Sequence, residues 1–355
     1  MVIAITIDRI LISVPATADT DSGKKDEMEY LVWDHARFVE SRDETEKAMR
    51  KVAEIGIAGL IVSVRDATFP LKAYCKAAKE KKIKVHAWVS PAFCVEQVVN
   101  RTIPAKRVAA MKKEFGFVLL RTCLNHPYNR ENGLKNIARL VKTHEGLIDG
   151  LHLDYIRNDN AQLLRRYPCE CEACRAYRKR YLGYERLTAA DMDNVDIMYK
   201  EIEFRNRNIT QYVREAKKLT EAAGLELSFA ARANYLNQAD MEKPPVYGLG
   251  PAIFEGQDWV SWADQGLVDF ICPMNYHTDT KMFARVYNDH ARLLNGTNVK
   301  HYAGIGVKSS LGENPPERVR KHIEIVKKAG GRGCVFFCFN AITDAHGQAL
   351  KAALK

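Results

Sequence analysis

From residue 29 onward, short apolar runs rich in β-branched and aromatic residues alternate with stretches whose apolar residues recur at helical spacing. The runs cover residues 30–38, 59–65, 83–90, 148–156, 225–231, 268–274, 300–307 and 334–339. Most are apolar on both faces, as expected of strands covered on each side in a parallel sheet. Between them the helix signals are local. Ser41 with Glu44 three residues on reads as a capping box, and Gly56 as a stop. Met198, Ile202, Ile209, Val213 and Ala216 share one helical face. Met282, Phe283, Val286, Leu293 and Leu294 follow the sixth run, in a helix that ends at Gly296. Asn314 is placed as the cap of a helix with Pro315 at its first position, its inner face carrying Val319, Ile323 and Val326.

Eight strand–helix units are the number that closes a ring, and right-handed crossovers make closure natural. The expected fold is α/β, a single-domain (β/α)8 TIM barrel over 29–355 with an insertion after the fourth strand, preceded by an N-terminal extension, 1–28. The alternative is an open doubly wound sheet. It is weakened by the absence of a G-x-G-x-x-G after the first strand. The stretch 235–257, with Pro244, Pro245, Gly248 and Gly250, reads as a long loop after the fifth strand and not as a domain boundary.

Composition adds modest limits. The chain has 355 residues, 46% hydrophobic and 28% charged, enough for a large core without covalent staples. Net charge is +10, with Lys and Arg scattered along helices, so a solvated basic surface is expected and no nucleic-acid partner. No run is long and apolar enough for a membrane span. The N-terminal stretch is mildly apolar but broken by Asp8 and Arg9, a poor signal-peptide core. It is read as a first strand or as the remnant of an export segment; the protein would be periplasmic or secreted if such a segment is removed, and cytoplasmic otherwise. No pattern specifies an oligomeric state.

In such a barrel the chemistry sits at the C-terminal ends of the strands, so polar residues there become candidates. Asp34, His35 and Arg37 end the first strand, Arg65 and Asp66 the second, and His86 and Trp88 lie on the third. The fourth, IDGLHLDYIR, offers His152, Asp154, Tyr155 and Arg157. The fifth offers Arg232 and Asn234, the sixth Asn275, Tyr276 and His277, the seventh Lys308 and the eighth Asn340. Asp154 stands out because a carboxylate leaving an apolar strand must be paired or wetted, with Arg157 as its expected partner. The plain alternative is an ion pair that only ties loop to strand. For His86 and His152 the plain reading, a packed and hydrogen-bonded ring, is preferred over a base. Trp88 is either a platform for a sugar ring or core.

IDGLHLDYIR, VRDATF, HAWVSP, GQDWVSWADQGLVDFICPMNYH and GRGCVFFCFNAI together resemble the glycosyl hydrolase-like family ten proteins. The likeness runs from about residue 29 to the end. Its strand-four core corresponds to Asp154, Tyr155, Ile156 and Arg157, its Pro-Met-x-Tyr motif to Pro273, Met274, Asn275 and Tyr276, and its aromatic stretch to Gln257, Asp258, Trp259 and Trp262. The resemblance implies a glycoside hydrolase acting on a polysaccharide or amino-sugar glycan. Asp154 would be the main carboxylate, Asp66 or Glu255 the acid, and Asp34, Arg65, Trp88, Arg157, Arg232, Asn275, Tyr276 and His277 would surround a carbohydrate substrate. One departure stands out: the fifth and eighth strands end without the glutamate that many barrel glycosidases carry, and a conventional mechanism needs two carboxylates. Substrate assistance by an N-acetyl group, or a carbohydrate-binding barrel without turnover, follows from that gap. A phosphate-binding lyase or isomerase is disfavoured because Gly304, Gly306, Gly330, Gly331 and Gly333 fall within or before strands seven and eight, not after them.

Of nine cysteines, Cys272, Cys334 and Cys338 sit in strand runs as small hydrophobes. Cys169, Cys171 and Cys174 form a C-x-C-x-x-C cluster. Three thiolates plus one further ligand would suit zinc, yet the second paired knuckle is missing. A disulfide with one free thiol and reduced packing cysteines stay open, so no metal ligand and no cofactor are assigned.

Overall fold

A computed structural model describes residues 28–36, 41–91, 99, 102, 105–115, 122–158, 168–235 and 252–354. Arg37, the segment 1–27 and most of the stretch 235–257 lie outside these. Eight parallel strands close into a barrel: β1 (Glu29–Asp34), β2 (Gly59–Ser63), β3 (Lys84–Val89), β4 (Gly150–Leu153), β5 (Glu226–Ala231), β6 (Phe270–Pro273), β7 (Lys300–Gly306) and β8 (Gly333–Phe337). β1 closes the ring by pairing with both β2 and β8. Six predicted runs contain their strands, β1 and β8 each begin one residue ahead of theirs, and the expected (β/α)8 TIM barrel is present.

The helices follow the local signals closely. α1 (Arg42–Ile55) starts at Ser41, whose Oγ accepts from Glu44 N, and stops at Gly56 in the left-handed region. α2 (Leu71–Glu80) follows β2. The β3–β4 connection holds α3 (Ala105–Phe115) and α4 (Pro127–Thr143). The insertion after β4 carries α5 (Glu172–Leu182) and α6 (Ala189–Asp193), and leads into α7 (Val195–Ala222), a helix of 28 residues. α8 (Ala252–Glu255) and α9 (Trp259–Asp264) separate β5 from β6. α10 (Thr280–Leu293), α11 (Pro316–Lys328) and α12 (Asp344–Leu354) complete the outer layer. Two local expectations change. The helix after β7 begins one residue later than expected, with Pro316 rather than Pro315 inside it, because Asn314 donates Nδ2 to Gly306 O and so fastens the strand end instead of capping the helix. Leu293 is exposed, and Leu294 takes the inward place.

Strand pleating sorts side chains into two cores. Tyr30, Val32, Leu151 and Leu153 join the large cluster under the helices. Leu31, Trp33, Ile61, Ala230, Phe270, Cys272, Tyr302 and Val335 fill the barrel interior. That interior is also polar in places. Trp33 Nε1 donates to His152 Nε2 at 3.2 Å, so the remaining proton of a neutral ring lies on Nδ1, which donates to Ser228 Oγ at 2.9 Å. Burial holds His152 well below the ordinary histidine range, consistent with that neutral ring. At the opposite rim, Asp149 and Asp269 accept from Val85 N and Leu227 N and close the strand starts. Among the described residues no helix is long and apolar enough to cross a membrane.

Candidate active site

Asp154 follows Gly150 and His152 on the inward phase of β4, where those two stand beside His86 and Trp88 of β3. Its backbone N–H donates to Val89 O at 2.9 Å, which fixes the point where the chain leaves the barrel. Oδ1 accepts from Tyr155 N at 2.6 Å and from Arg157 Nη1 at 3.3 Å, so the expected pairing with Arg157 is present. Oδ2 accepts no hydrogen bond among the described residues. Tyr155 makes the tight return possible with φ of 53°, a left-handed conformation unusual for a bulky residue. Its ring, 44% exposed, lies under the Arg157 guanidinium at 4.7 Å.

An aromatic wall stands beside this carboxylate. Tyr276 stacks on Phe337 with centroids 5.4 Å apart and meets Trp33 edge-on. Burial, and then the charge of Asp154, push the Tyr276 hydroxyl well above the ordinary tyrosine range, which locates it in the field of that carboxylate. His35 bridges Trp88 at 5.3 Å and Phe337 at 5.8 Å. Trp88 is only half-buried, so part of its ring is open to solvent at the strand end.

The other expected carboxylates have different surroundings. Glu255 is fully buried, and Arg232 spans it with Nε on Oε2 at 2.6 Å and Nη2 on Oε1 at 3.3 Å. Arg157 Nε approaches the same Oε2 at 3.7 Å. Both oxygens are therefore engaged, and Glu255 acts as a buried knot between the ends of β4 and β5 rather than facing a substrate as an acid. Around the knot, Asn158 N donates to Glu255 O, and Gln257 receives Arg232 N and returns Nε2 to Ala230 O. Asp66 is exposed, and Oδ1 accepts both the N–H and the hydroxyl of Thr68. These bonds hold its carboxyl below the ordinary range, the wrong direction for a proton donor. Its neighbour Arg65 is also exposed and packs on Phe69 at 5.9 Å.

Asp34 is corrected most clearly. It sits on the outward phase of β1 with Tyr30 and Val32, receives the Tyr74 hydroxyl of α2 at 2.6 Å and caps Ala36 N. It fastens strand to helix and is not in the mouth. Asn275 donates Nδ2 to Phe283 O at 2.9 Å and anchors α10. His277 is buried, with burial lowering its basicity ahead of an opposing pull from Asp279. The site therefore gathers Asp154, Arg157, Arg232, Tyr276 and Trp88, with Glu255 beneath them. His35, Trp33 and Phe337 complete the wall. Strand alternation counted from Asp154 and across the register would have found Trp33 and Phe337, which pair in sequence register on β1 and β8.

No family model matches the chain, and no curated protein matches its sequence. Among solved structures, the glycoside hydrolase domain of PgaB (BpsB) from Bordetella bronchiseptica superposes with a TM-score of 0.67 at 12% identity, covering 92% of this chain and 99% of that one. The endo-1,4-β-mannanase from Rhizomucor miehei gives 0.57 at 9% identity, covering 94% and 96%. The catalytic domain of β-amylase from Paenibacillus polymyxa gives 0.56 at 10%, covering 92% and 98%. At these identities the shared property is the fold: this chain is built as barrels that house glycoside hydrolases are built.

Proposed function

We propose that the protein hydrolyses glycosidic bonds in a polysaccharide, amino-sugar glycans being the first class to test, with Asp154 as its catalytic carboxylate. The observation that carries this reading is the position of Asp154 at the C-terminal end of β4. One oxygen is held by two donors and the other is unengaged among the described residues, next to an aromatic wall. A flat sugar face fits the half-buried ring of Trp88, with the buried Tyr276 behind it in the wall. Two donors hold Oδ1 in place and leave Oδ2 clear, a geometry that suits a nucleophile at the anomeric carbon or a stabiliser of its positive charge in the transition state. The resemblance of the strand-four and strand-six motifs, and the glycoside hydrolases among the structural neighbours, support the same class.

The test is incubation with chitin, peptidoglycan and β-mannan, with released reducing ends and product masses measured. Asp154→Asn is expected to lower turnover by on the order of 10^3-fold or more while glycan binding persists. If Asp154 is the nucleophile, azide restores turnover to Asp154→Gly with formation of a glycosyl azide. Normal turnover by Asp154→Asn would remove the residue from this role.

A second reading, a glycan-binding barrel without turnover, is favoured by one observation. Glu255 and Asp66, the expected partners of Asp154, are both committed elsewhere. Binding to the same glycans with no product on prolonged incubation would select it.

A further inference from the structure

The C-x-C-x-x-C cluster acquires a fourth member in the fold. Cys123, just ahead of α4, brings its sulfur to those of Cys169, Cys171 and Cys174, and all four Sγ atoms lie within 4.8 Å of one another. Cys123 Sγ is 3.6 Å from that of Cys171 and 3.8 Å from that of Cys174. These separations far exceed a disulfide bond of about 2.05 Å. They match the edge of a tetrahedron whose arms are zinc–sulfur bonds of about 2.3 Å, which is ~3.8 Å. All four side chains are buried, and none is in a disulfide. We propose that Cys123, Cys169, Cys171 and Cys174 form a tetrathiolate site for one structural zinc ion.

Four thiols packed only as small hydrophobes would need no polar company. Here N–H groups converge on the sulfurs. Thr102 N and Cys171 N each donate to Cys169 Sγ at 3.4 Å, and Asn125 Nδ2 donates to Cys174 Sγ at 3.3 Å. Such donors stabilise electron-rich thiolates and orient them, as outer partners of metal ligands do. The buried Arg178 lies close by, its Nη2 on Cys169 O at 2.7 Å and its Nε on Glu201 Oε1 at 2.8 Å. The ligands also come from the right places: three from the turn that opens α5 and one from the chain entering α4. One ion would pin the root of the insertion to the β3–β4 connection, on the path the chain takes after leaving Asp154. It makes no use of the reaction assigned to Asp154, so the two readings stand or fall separately.

The test is elemental analysis of the purified chain, expected to give one zinc per molecule, followed by cobalt exchange under reducing conditions. Cobalt should give visible ligand-field bands of a tetrahedral site and thiolate charge-transfer bands. Cys123→Ser and Cys171→Ser should lose the metal, and Cys75→Ser, a buried cysteine on α2, should keep it. The exchange spectrum of the unaltered protein remains decisive if the serine variants do not fold. Protein that neither carries zinc nor takes up cobalt would overturn the proposal. So would a disulfide among the four residues in peptide mass mapping, or full zinc content in Cys123→Ser. A visible-absorbing iron centre as purified would overturn the choice of zinc.

Discussion

Replacing Glu255 separates a structural knot from a proton donor. Its side chain is 0% exposed, against 11% for Arg232 and 9% for Arg157, so little solvent screens the group. Removing one partner from such an arrangement leaves buried guanidinium charge uncompensated and costs about 3–5 kcal/mol. Glu255→Gln keeps the shape and one acceptor, and should lie near the low end; Glu255→Ala should lie near the high end. Unfolding entropy of about 2.1 cal/mol/K per residue gives a chain of 355 residues roughly 0.7 kcal/mol per degree. The expected fall in Tm is then ~4–7 °C. The assay is thermal unfolding beside urea titration at pH 7, together with turnover once a substrate is in hand. The double variant Glu255→Leu with Arg232→Met should recover much of the loss, since apolar replacement of both partners of a buried pair is often neutral. Glu255→Gln that unfolds within about 1 kcal/mol of the parent, yet has lost turnover, would refute the reasoning and return Glu255 to the role of acid.

Acid should weaken the fold through its buried histidines. Burial, the leading cause for each, pushes His86, His290 and His322 down to about 4, below the roughly 6.5 of an unfolded chain. The unfolded form therefore binds more protons between about pH 4 and 6.5, so the stability is complete above that window and is lost as pH falls through it, at up to ~1.4 kcal/mol per pH unit for each histidine. His322→Phe, whose ring would lie on Phe283 as the imidazole does at 4.0 Å, should flatten the slope; stability equal at pH 7 and pH 5 in the parent would contradict the assignment. Gly150→Ala would bring a methyl to 2.2 Å from His86 Nδ1 and 2.7 Å from the backbone oxygen of Glu226, so a loss of ~1–3 kcal/mol is expected by urea titration, and an unchanged midpoint would show that β4 can shift.

The strands were legible because closure into a ring buries both faces of each, which leaves unbroken apolar runs. Which face a strand-end residue takes was less visible. Asp34 looked like a mouth residue by position, yet one residue of pleat sends it to Tyr74 on α2 and turns Trp33 inward. The phase could have been counted from neighbouring strands only once the register was known. Asp154 was found because a lone carboxylate after an apolar run carries its own signal, and its partner lies three residues on. The Glu255–Arg232 pair crosses from α8 back to the end of β5, and Cys123 reaches the insertion from another connection. Spacing alone encodes neither contact. Helix α4 was readable, with Pro127 at its start and Ile137 and Leu140 buried at helical spacing, but no strand-based count called for it.

The rung of Trp33, His152 and Ser228 below the mouth also bears on redesign. Each member satisfies the next, so an isolated swap orphans a polar atom in dry surroundings. An engineer wanting a deeper cleft has to exchange all three together for apolar groups of matching volume. Widening upward, through the loops, leaves that foundation untouched.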